Sequence, residues 1–245
     1  MKLTIIGCHG AYPAINGATS GYLVEEGETK VLLDCGSGVL SKLQNYVELK
    51  ELDGVVISHY HTDHDADLGC LQYAVMLDLL LNKRTKPFTA WGPGKEACLT
   101  YKEFCRGISY LNKDCFQIGD LRFSVCENEH EITSYSIKVT GKTGEVLVYS
   151  GDTNYCESLK IFAGGADWFL CESSVYASQT GSVWGHLSSS EAGEIARMAE
   201  VRNLCLTHFP HYGDIDSLKK EAGTAYQGNI ILAKPGMCID INHYK

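Results

Sequence analysis

The sequence predicts an α/β fold in which two β-sheets pack together and carry helices on their outer faces. Short strand-like apolar runs alternate with helical segments in both halves of the 245 residues, as expected for a layered α/β protein. Apolar residues make up 44% of the chain and charged residues 21%, proportions that are ordinary for a globular protein and argue against disorder. Because no linker or repeat interrupts the pattern, residues 1–245 are expected to form a single domain.

The first half opens with apolar runs that are separated by turns. A Gly-Ser-Gly turn at residues 36–38 is predicted to open an amphipathic helix, because apolar residues then recur every three or four positions. The short apolar run at 55–58 is typical of a buried strand. In order, the predicted elements are strands at 3–6, 22–26 and 30–34, a helix at 39–47, a strand at 55–58, a helix at 65–82, a strand at 88–91 and a helix from 94 to about 107.

The second half continues the alternation of strands and helices. A Gly-Lys-Thr-Gly turn separates two alternating strands, and Ser188 with Glu191 has the spacing of a capping box ahead of a helix. The predicted elements are strands at 121–127, 135–140, 145–150 and 167–172, a helix from 188 to about 201, a strand at 204–207, a helix from 214 and a last strand at 229–234.

Charge and hydropathy exclude two classes of partner. The net charge is −9 and no run rich in Lys or Arg occurs, so a long nucleic-acid footprint is not expected. No apolar stretch approaches the roughly 18 residues of a membrane span. The first ten residues are too short and too weakly apolar for a signal peptide and are typical of a first strand. We therefore expect a cytoplasmic protein without a membrane partner.

The cysteines agree with a reducing compartment. There are 11, an odd number, and none forms a Cys-x-x-Cys pair, so free thiols are expected. A separate zinc site formed by Cys98, Cys105, Cys115 and Cys126 is an alternative, although their spacings fit no standard template.

A cluster of metal-ligand residues follows the apolar run at 55–57. His59, His61, Asp63 and His64 form the pattern His-x-His-x-Asp-His. Neutral imidazoles and carboxylates are ligands that divalent zinc prefers, and ligand sites in α/β folds lie beyond the carboxyl ends of strands. The pattern predicts a metal centre, with a polar helix-capping loop as the alternative.

Three further residues that can bind a metal lie at the ends of predicted strands. His130 lies between two strands, Asp152 follows the strand at 145–150, and His208 follows the strand at 204–207. A single histidine at such a position is usually only exposed. Three of them in combination with His-x-His-x-Asp-His favour one shared metal site.

Taken in order, His-x-His-x-Asp-His, His130, Gly-Asp152-Thr and Leu-Thr-His208 resemble the metallo-β-lactamase superfamily over nearly the whole chain. The resemblance implies a four-layer αββα sandwich with two divalent ions at one edge, zinc by default and manganese or iron as alternatives. It implies that the first ion is held by His59, His61 and His130, the second by Asp63, His64 and His208, and both by Asp152.

Further motifs resemble the ribonuclease Z-like and phosphodiesterase branch of that superfamily. The surroundings of His130 lack the His-Thr-Pro-Gly motif of the lactamases and thioesterases. Residues 166–172 resemble a segment that ends in His-Glu-Ala-Thr, with Cys171 departing from its histidine, and Gly-His186-Leu-Ser resembles the branch's second histidine motif. The resemblance implies that Glu172 orients His186, which protonates the leaving oxygen.

The interval between His130 and Asp152 distinguishes members of this branch. Ribonuclease Z carries a basic arm that grips transfer RNA, inserted after the third histidine ligand. Only 21 residues separate His130 from Asp152 here, and two predicted strands with a turn occupy them. The armless, small-substrate members, including the YhfI-like metallo-hydrolases, are the better match, and no tRNA partner is expected.

The resemblance implies a hydrolase in which a metal-bridging hydroxide attacks the substrate. Asp63 could accept a proton from the water and His186 could act as general acid. A positive site in an acidic protein favours a small anionic substrate, so we predict a phosphodiesterase of small phosphodiesters or nucleotides. The alternatives are a lactonase or thioesterase with the same metals, and a non-enzymatic metal-binding protein.

The sequence also allows roles for histidines outside the metal-ligand pattern and for one apolar helix. His9 and His211 fall near predicted loops, so either could line the pocket, and His243 is expected to be solvated. The apolar helix around 68–81 could support a homodimer, and core packing explains its composition equally well.

Overall fold

The computed structural model describes residues 1–85 and 88–241, so His243 lies outside the described residues. Short strands make up most of the regular structure. In chain order they are β1 (Lys2–Gly7), β2 (Gly21–Glu26), β3 (Thr29–Leu33), β4 (Gly54–Val56), β5 (Phe88–Gly92), β6 (Cys105–Ser109), β7 (Phe116–Ile118), β8 (Leu121–Glu127), β9 (Tyr135–Thr140), β10 (Val146–Tyr149), β11 (Trp168–Glu172), β12 (Asn203–Thr207), β13 (Asn229–Leu232) and β14 (Cys238–Asp240).

The helices fall between these strands. They are α1 (Val39–Leu43), α2 (Thr62–Asp65), α3 (Leu68–Leu80), α4 (Glu96–Leu99), α5 (Glu157–Phe162), α6 (Ser189–Met198) and α7 (Ile215–Ala222), with 3₁₀ turns at Leu49–Glu51 and Ala177–Gln179. The predicted capping box is present, since Ser188 and Glu191 bond reciprocally at the start of α6. Within the described residues, no helix combines the length and apolarity needed to cross a bilayer.

Within residues 1–85 and 88–241 the strands form two sheets of seven, which confirms the predicted αββα sandwich. The first sheet has the order β14-β1-β2-β3-β4-β5-β6 and the second β13-β12-β11-β10-β9-β8-β7. In the second sheet, β10, β11, β12 and β13 are parallel. Because β9 is antiparallel to both β8 and β10, β8 also runs in that direction. The carboxyl ends of these five strands therefore meet at one edge.

Successive side chains along a strand belong alternately to two hydrophobic clusters. In β3, Val31 and Leu33 join the cluster that contains residues of both sheets, whereas Leu32 joins the cluster with Leu43 and Leu71 on the outer helices. The period of two follows from the opposite orientation of successive side chains in a strand. A register shift of one residue would exchange the two faces of a strand. The burial pattern therefore fixes the pairing register and, with it, the residue at which each strand ends.

Several predicted helices differ from the structure, and the helix predicted at 39–47 ends at Leu43. The helix predicted from 94 to about 107 is wrong beyond α4, because the chain turns and pairs as β6 in parallel with β5. Gly107 sits in that strand where an added Cβ would lie 2.5 Å from the carbonyl oxygen of Glu96. The helix predicted at 65–82 is divided into α2 and α3 at Asp67, whose N–H donates to Cys35 O at 3.0 Å and whose carboxylate accepts from Leu40 N at 2.9 Å.

The interval between His130 and Asp152 contains two strands and no inserted arm, as predicted. Strands β9 and β10 fill about half of residues 131–151 and pair with each other. The edge strands β7 and β14, of three residues each, are found where no element was predicted.

Candidate metal centre

All seven predicted ligands lie at the edge where the strands end. His59 follows β4 by three residues, and Asp63 with His64 lies in the short helix α2. From the second sheet, His130 follows β8, Asp152 follows β10 and His208 directly follows β12. Each side chain therefore comes from a loop or helix start that a buried strand holds in place.

The first group of ligand atoms is compact. His61 Nδ1 lies 3.1 Å from His59 Nε2 and 3.2 Å from His130 Nε2. Asp152 Oδ2 lies 3.6 Å from His59 Nε2. A tetrahedral zinc site with bonds of about 2.0–2.1 Å separates its ligand atoms by roughly 3.3 Å. The spacing of this group fits a single ion.

The second group has the same spacing. His208 Nε2 lies 3.1 Å from Asp63 Oδ2 and 3.3 Å from His64 Nε2. Asp152 Oδ2 lies 3.3 Å from both of these imidazole nitrogens, on His64 and on His208. Burial alone would raise the pKa of Asp63, but His208 and His64 lower it. Asp63 also accepts a hydrogen bond of 2.7 Å from the backbone N–H of Ala11.

The Asp152 carboxylate is shared by both groups and is the best indicator of a cation site. The residue is almost fully buried, and within the described structure its Oδ1 atom has no hydrogen-bond partner. Burial opposes its ionisation, whereas His208 and His64 hold the pKa of Asp152 well below its ordinary value. A buried ionised oxygen without a donor is costly unless a cation compensates it, so these residues fit a pair of divalent ions.

Asp34 supports the site and was missed by the sequence prediction. Its Oδ2 atom accepts hydrogen bonds of 2.8 Å from His64 Nδ1, Ser58 Oγ and Tyr149 OH. A carboxylate on Nδ1 fixes the histidine tautomer and leaves Nε2 free for a metal. Asp34 directly follows β3, so the strand-end rule that indicated Asp152 would also have found it.

A second relay supports His208. His208 Nδ1 lies 2.8 Å from Ser174 Oγ, which in turn donates a short hydrogen bond to Glu172 Oε2. Glu172 is buried at the end of β11, and its Oε1 accepts the backbone N–H of Thr153 at 2.8 Å. The carboxylate therefore orients a predicted metal ligand through one hydroxyl, although only its role toward His186 was foreseen.

Glu172 also contacts His186, as the sequence predicts. His186 Nδ1 lies 3.3 Å from each carboxylate oxygen of Glu172 and 3.9 Å from Asp152 Oδ2. Burial opposes protonation of the ring, but the carboxylates of Glu172 and Asp152 raise the pKa of His186 to about 9. With Nδ1 engaged, Nε2 is the ring nitrogen left for a substrate.

These groups line a cavity of about 480 Å³. His61, Asp63, Asp152, His186 and His208 all contribute to its wall. His211 also lines it, whereas His9 stacks against His211 at 5.3 Å between ring centroids and is not among the lining residues described.

The alternative cysteine site does not form among the described residues. Their clusters of metal-ligand side chains contain only His, Asp and Glu. Cys105 is buried, Cys126 is half-buried, and Cys98 and Cys115 are exposed, each with a free thiol. The zinc alternative for these four cysteines is therefore wrong.

We expect Ser174→Ala to weaken metal binding by about 10–100-fold, the usual cost of losing an outer-shell partner. The substitution removes the hydroxyl that links His208 to Glu172. Ser173→Ala is the matched control, since the buried Ser173 hydroxyl has no hydrogen-bond partner in the described structure. Competition with a chromogenic chelator measures both affinities, and equal values for the two variants would contradict the relay.

Comparison with known proteins agrees with this architecture. Residues 29–209 match the family model described as "Beta-lactamase superfamily domain". The chain is 42% identical to "Probable metallo-hydrolase YhfI" of Bacillus subtilis, over 96% of this chain and 98% of that protein. The crystal structure of YhfI superposes with a TM-score of 0.94 at 40% identity, over 97% of this chain and 98% of that one.

A more distant relative is ribonuclease Z of Methanopyrus kandleri. It is 28% identical over 98% of this chain and 98% of its own length. A diphosphatase from the PhnP family superposes with a TM-score of 0.75 at 14% identity, over 98% of this chain and 97% of that one, and this likeness concerns the fold alone.

Proposed function

Because this chain belongs to the metallo-β-lactamase superfamily, we propose that it is a binuclear metal-dependent hydrolase that cleaves small phosphodiesters or nucleotides. The observation that carries the proposal is the buried Asp152 carboxylate, which lies between two groups of ligand atoms and has an oxygen without a donor in the described structure. One carboxylate shared by two ligand groups can hold two ions close together, as two-metal hydrolysis requires.

In this proposal the first ion takes His59, His61 and His130, the second takes Asp63, His64 and His208, and Asp152 serves both. Zinc suits this nitrogen and oxygen donor set, and manganese or iron would also fit. When bound, the ions supply Lewis acidity and an activated water at neutral pH.

The chain's own side chains would complete the reaction. Asp63 lies in the cavity wall, and its carboxylate could accept a proton from the attacking water. His186 lies in the same wall with Nδ1 held by Glu172, so its Nε2–H can donate to the leaving oxygen. His130 and His208 are held through Nδ1, by Gly185 O at 2.8 Å and by Ser174 respectively, which keeps Nε2 of each directed to the centre.

Four observations support a small phosphodiester as the substrate. The cavity has the size of a small-molecule site. The protein carries a net charge of −9, and the interval after His130 consists of β9, β10 and short connections, which leaves no basic arm for tRNA. Ribonuclease Z, a relative at 28% identity, carries the name of an enzyme that cuts a phosphodiester backbone.

A substrate panel with metal analysis tests the proposal. We expect two metal ions per chain and chelator-sensitive hydrolysis of bis(p-nitrophenyl) phosphate and 2′,3′-cyclic nucleotides, because the loaded site attracts anions. Turnover of lactones or thioesters alone would instead assign a carbonyl hydrolase. A fully loaded protein that turns over none of these substrates would favour a non-enzymatic metal-binding protein.

Location and assembly form a further part of the proposal. Eleven free cysteines support the cytoplasm. One face of α3 exposes apolar side chains that take no part in core packing. They are Tyr73, Leu77 and Leu80, with Leu81 directly after the helix. This exposed face supports a homodimer, which sedimentation would reveal.

A further inference from the structure

Two exposed tyrosine rings line the cavity that contains the metal-ligand side chains. Tyr12 is 57% exposed and Tyr212 is 51% exposed, and both lie in the same wall as Asp63 and Asp152. Aromatic rings left accessible inside a concave site are typical of ligand contacts. The reaction proposed above uses neither ring.

Tyr12 is anchored beside one predicted metal ligand. The neighbouring Ala11 donates its N–H to Asp63. His211 Nε2 lies 2.7 Å from Tyr12 O and 3.1 Å from Gly10 O, so one ring N–H joins both carbonyls. The imidazole of His211 also stacks on the Tyr12 ring at 3.7 Å with an angle of 8° between planes. The ring is therefore held by its backbone and by one face.

Tyr212 is held at both ends of the residue. Its hydroxyl donates to Gln179 Oε1 at 3.0 Å, and its carbonyl accepts from Tyr176 OH at 2.8 Å. The following Gly213 has φ of 78°, and an added Cβ there would clash with Tyr176 OH. A ring ordered in advance loses little entropy when a ligand stacks on it.

The charge of the cavity limits what such a ligand can carry. Its described lining contains no Lys or Arg, and away from the predicted metal ligands it is mostly aromatic or aliphatic. One phosphodiester group would occupy the metal end together with the protonated His186, and a second anionic group would find no Lys or Arg along the rest of the described wall. The remainder of the substrate is expected to be uncharged and flat enough to stack.

We propose that Tyr12 and Tyr212 form a subsite for the nucleobase of a nucleoside phosphodiester, an inference that rests on the proposed phosphodiesterase function. Stacking between a base and an aromatic side chain tolerates any base, since every base has a π face. The subsite would therefore select nucleosides over simple alkyl groups without selecting one base strongly.

Two substrates with one leaving group test the subsite. Thymidine 5′-(p-nitrophenyl phosphate) and methyl p-nitrophenyl phosphate both release p-nitrophenolate and differ in the nucleoside. We expect the wild-type protein to prefer the thymidine compound in kcat/KM. Each of Tyr12→Leu and Tyr212→Leu should reduce that preference by roughly tenfold, with the loss falling on the thymidine compound.

Tyr46→Leu is the matched control, because Tyr46 is 44% exposed and is not among the cavity-lining residues described. Calorimetric binding of thymidine 5′-phosphate against methyl phosphate gives a second readout that needs no turnover. A preference that survives both tyrosine variants, or equal binding of the two phosphates by the wild-type protein, would overturn the subsite. If neither ester is hydrolysed but the binding preference and its loss are observed, the phosphodiesterase function fails and the subsite stands.

Discussion

Replacing Asp152 with asparagine is expected to reduce the metal content below two ions per chain and to lower kcat/KM by about a thousandfold or more, since losing several kcal/mol of metal-based stabilisation has that effect. Asp152 Oδ2 lies within 3.6 Å of imidazole nitrogens on both sides. An amide has no negative charge to offset two cations, and its NH₂ group cannot bind a metal. Elemental analysis and steady-state kinetics on bis(p-nitrophenyl) phosphate measure the two effects.

The fold itself should survive this substitution. Asn has nearly the volume of Asp, and the variant removes a buried negative charge that has an unpaired oxygen in the described structure. Asp65→Asn is the control, because this half-buried carboxylate follows His64 in α2 but belongs to none of the ligand clusters found among the described residues. Full metal content and normal kinetics in Asp152→Asn would refute the shared-ligand role.

Local sequence patterns predicted that these side chains converge because the predicted ligands obey one simple rule. Asp152 and His208 stand within three residues of the end of a short apolar strand, and His59 and His61 lie within five residues of the end of another. Buried strands are visible in the sequence as apolar runs, and their carboxyl ends meet when they run in the same direction. The convergence of distant residues could thus be predicted without knowing the strand order.

The groups that support these ligands were harder to predict. Ser174 acts on His208 from 34 residues away, through a hydroxyl that nothing in the sequence distinguishes from its neighbour Ser173. Which of two adjacent serines faces the site depends on the backbone after β11. Only the three-dimensional arrangement resolves that choice.

The helix wrongly predicted from 94 to about 107 also depends on three-dimensional arrangement. Residues 105–109 become β6 because they pair with β5 at the edge of the first sheet. At the other edge, β14 pairs with β1, bringing Cys238 opposite Thr4. Such long-range pairing overrides weak local preference, especially in segments of three to five residues.

The second large effect is expected at His186. In His186→Ala, kcat should fall by about 10²–10⁴-fold for a 2′,3′-cyclic nucleotide, whose leaving alkoxide needs a proton. The loss should be far smaller for bis(p-nitrophenyl) phosphate, because p-nitrophenolate leaves without protonation. The comparison between the two substrates serves as the internal control, since damage to metal binding would reduce both rates together.

Glu172→Gln separates positioning from proton transfer, because it leaves the His186 ring in place. The general acid must be protonated, and the Glu172 carboxylate raises the pKa of His186 against the opposing effect of burial. Activity on the cyclic nucleotide should therefore decline as the pH rises through that pKa. Without the carboxylate's charge the pKa falls, so the decline should begin at lower pH in Glu172→Gln. Two results would assign His186 a purely structural role: an unchanged alkaline limb of the pH profile in Glu172→Gln, or equal losses on both substrates in His186→Ala. Only a proton donor links the Glu172 charge to the leaving group.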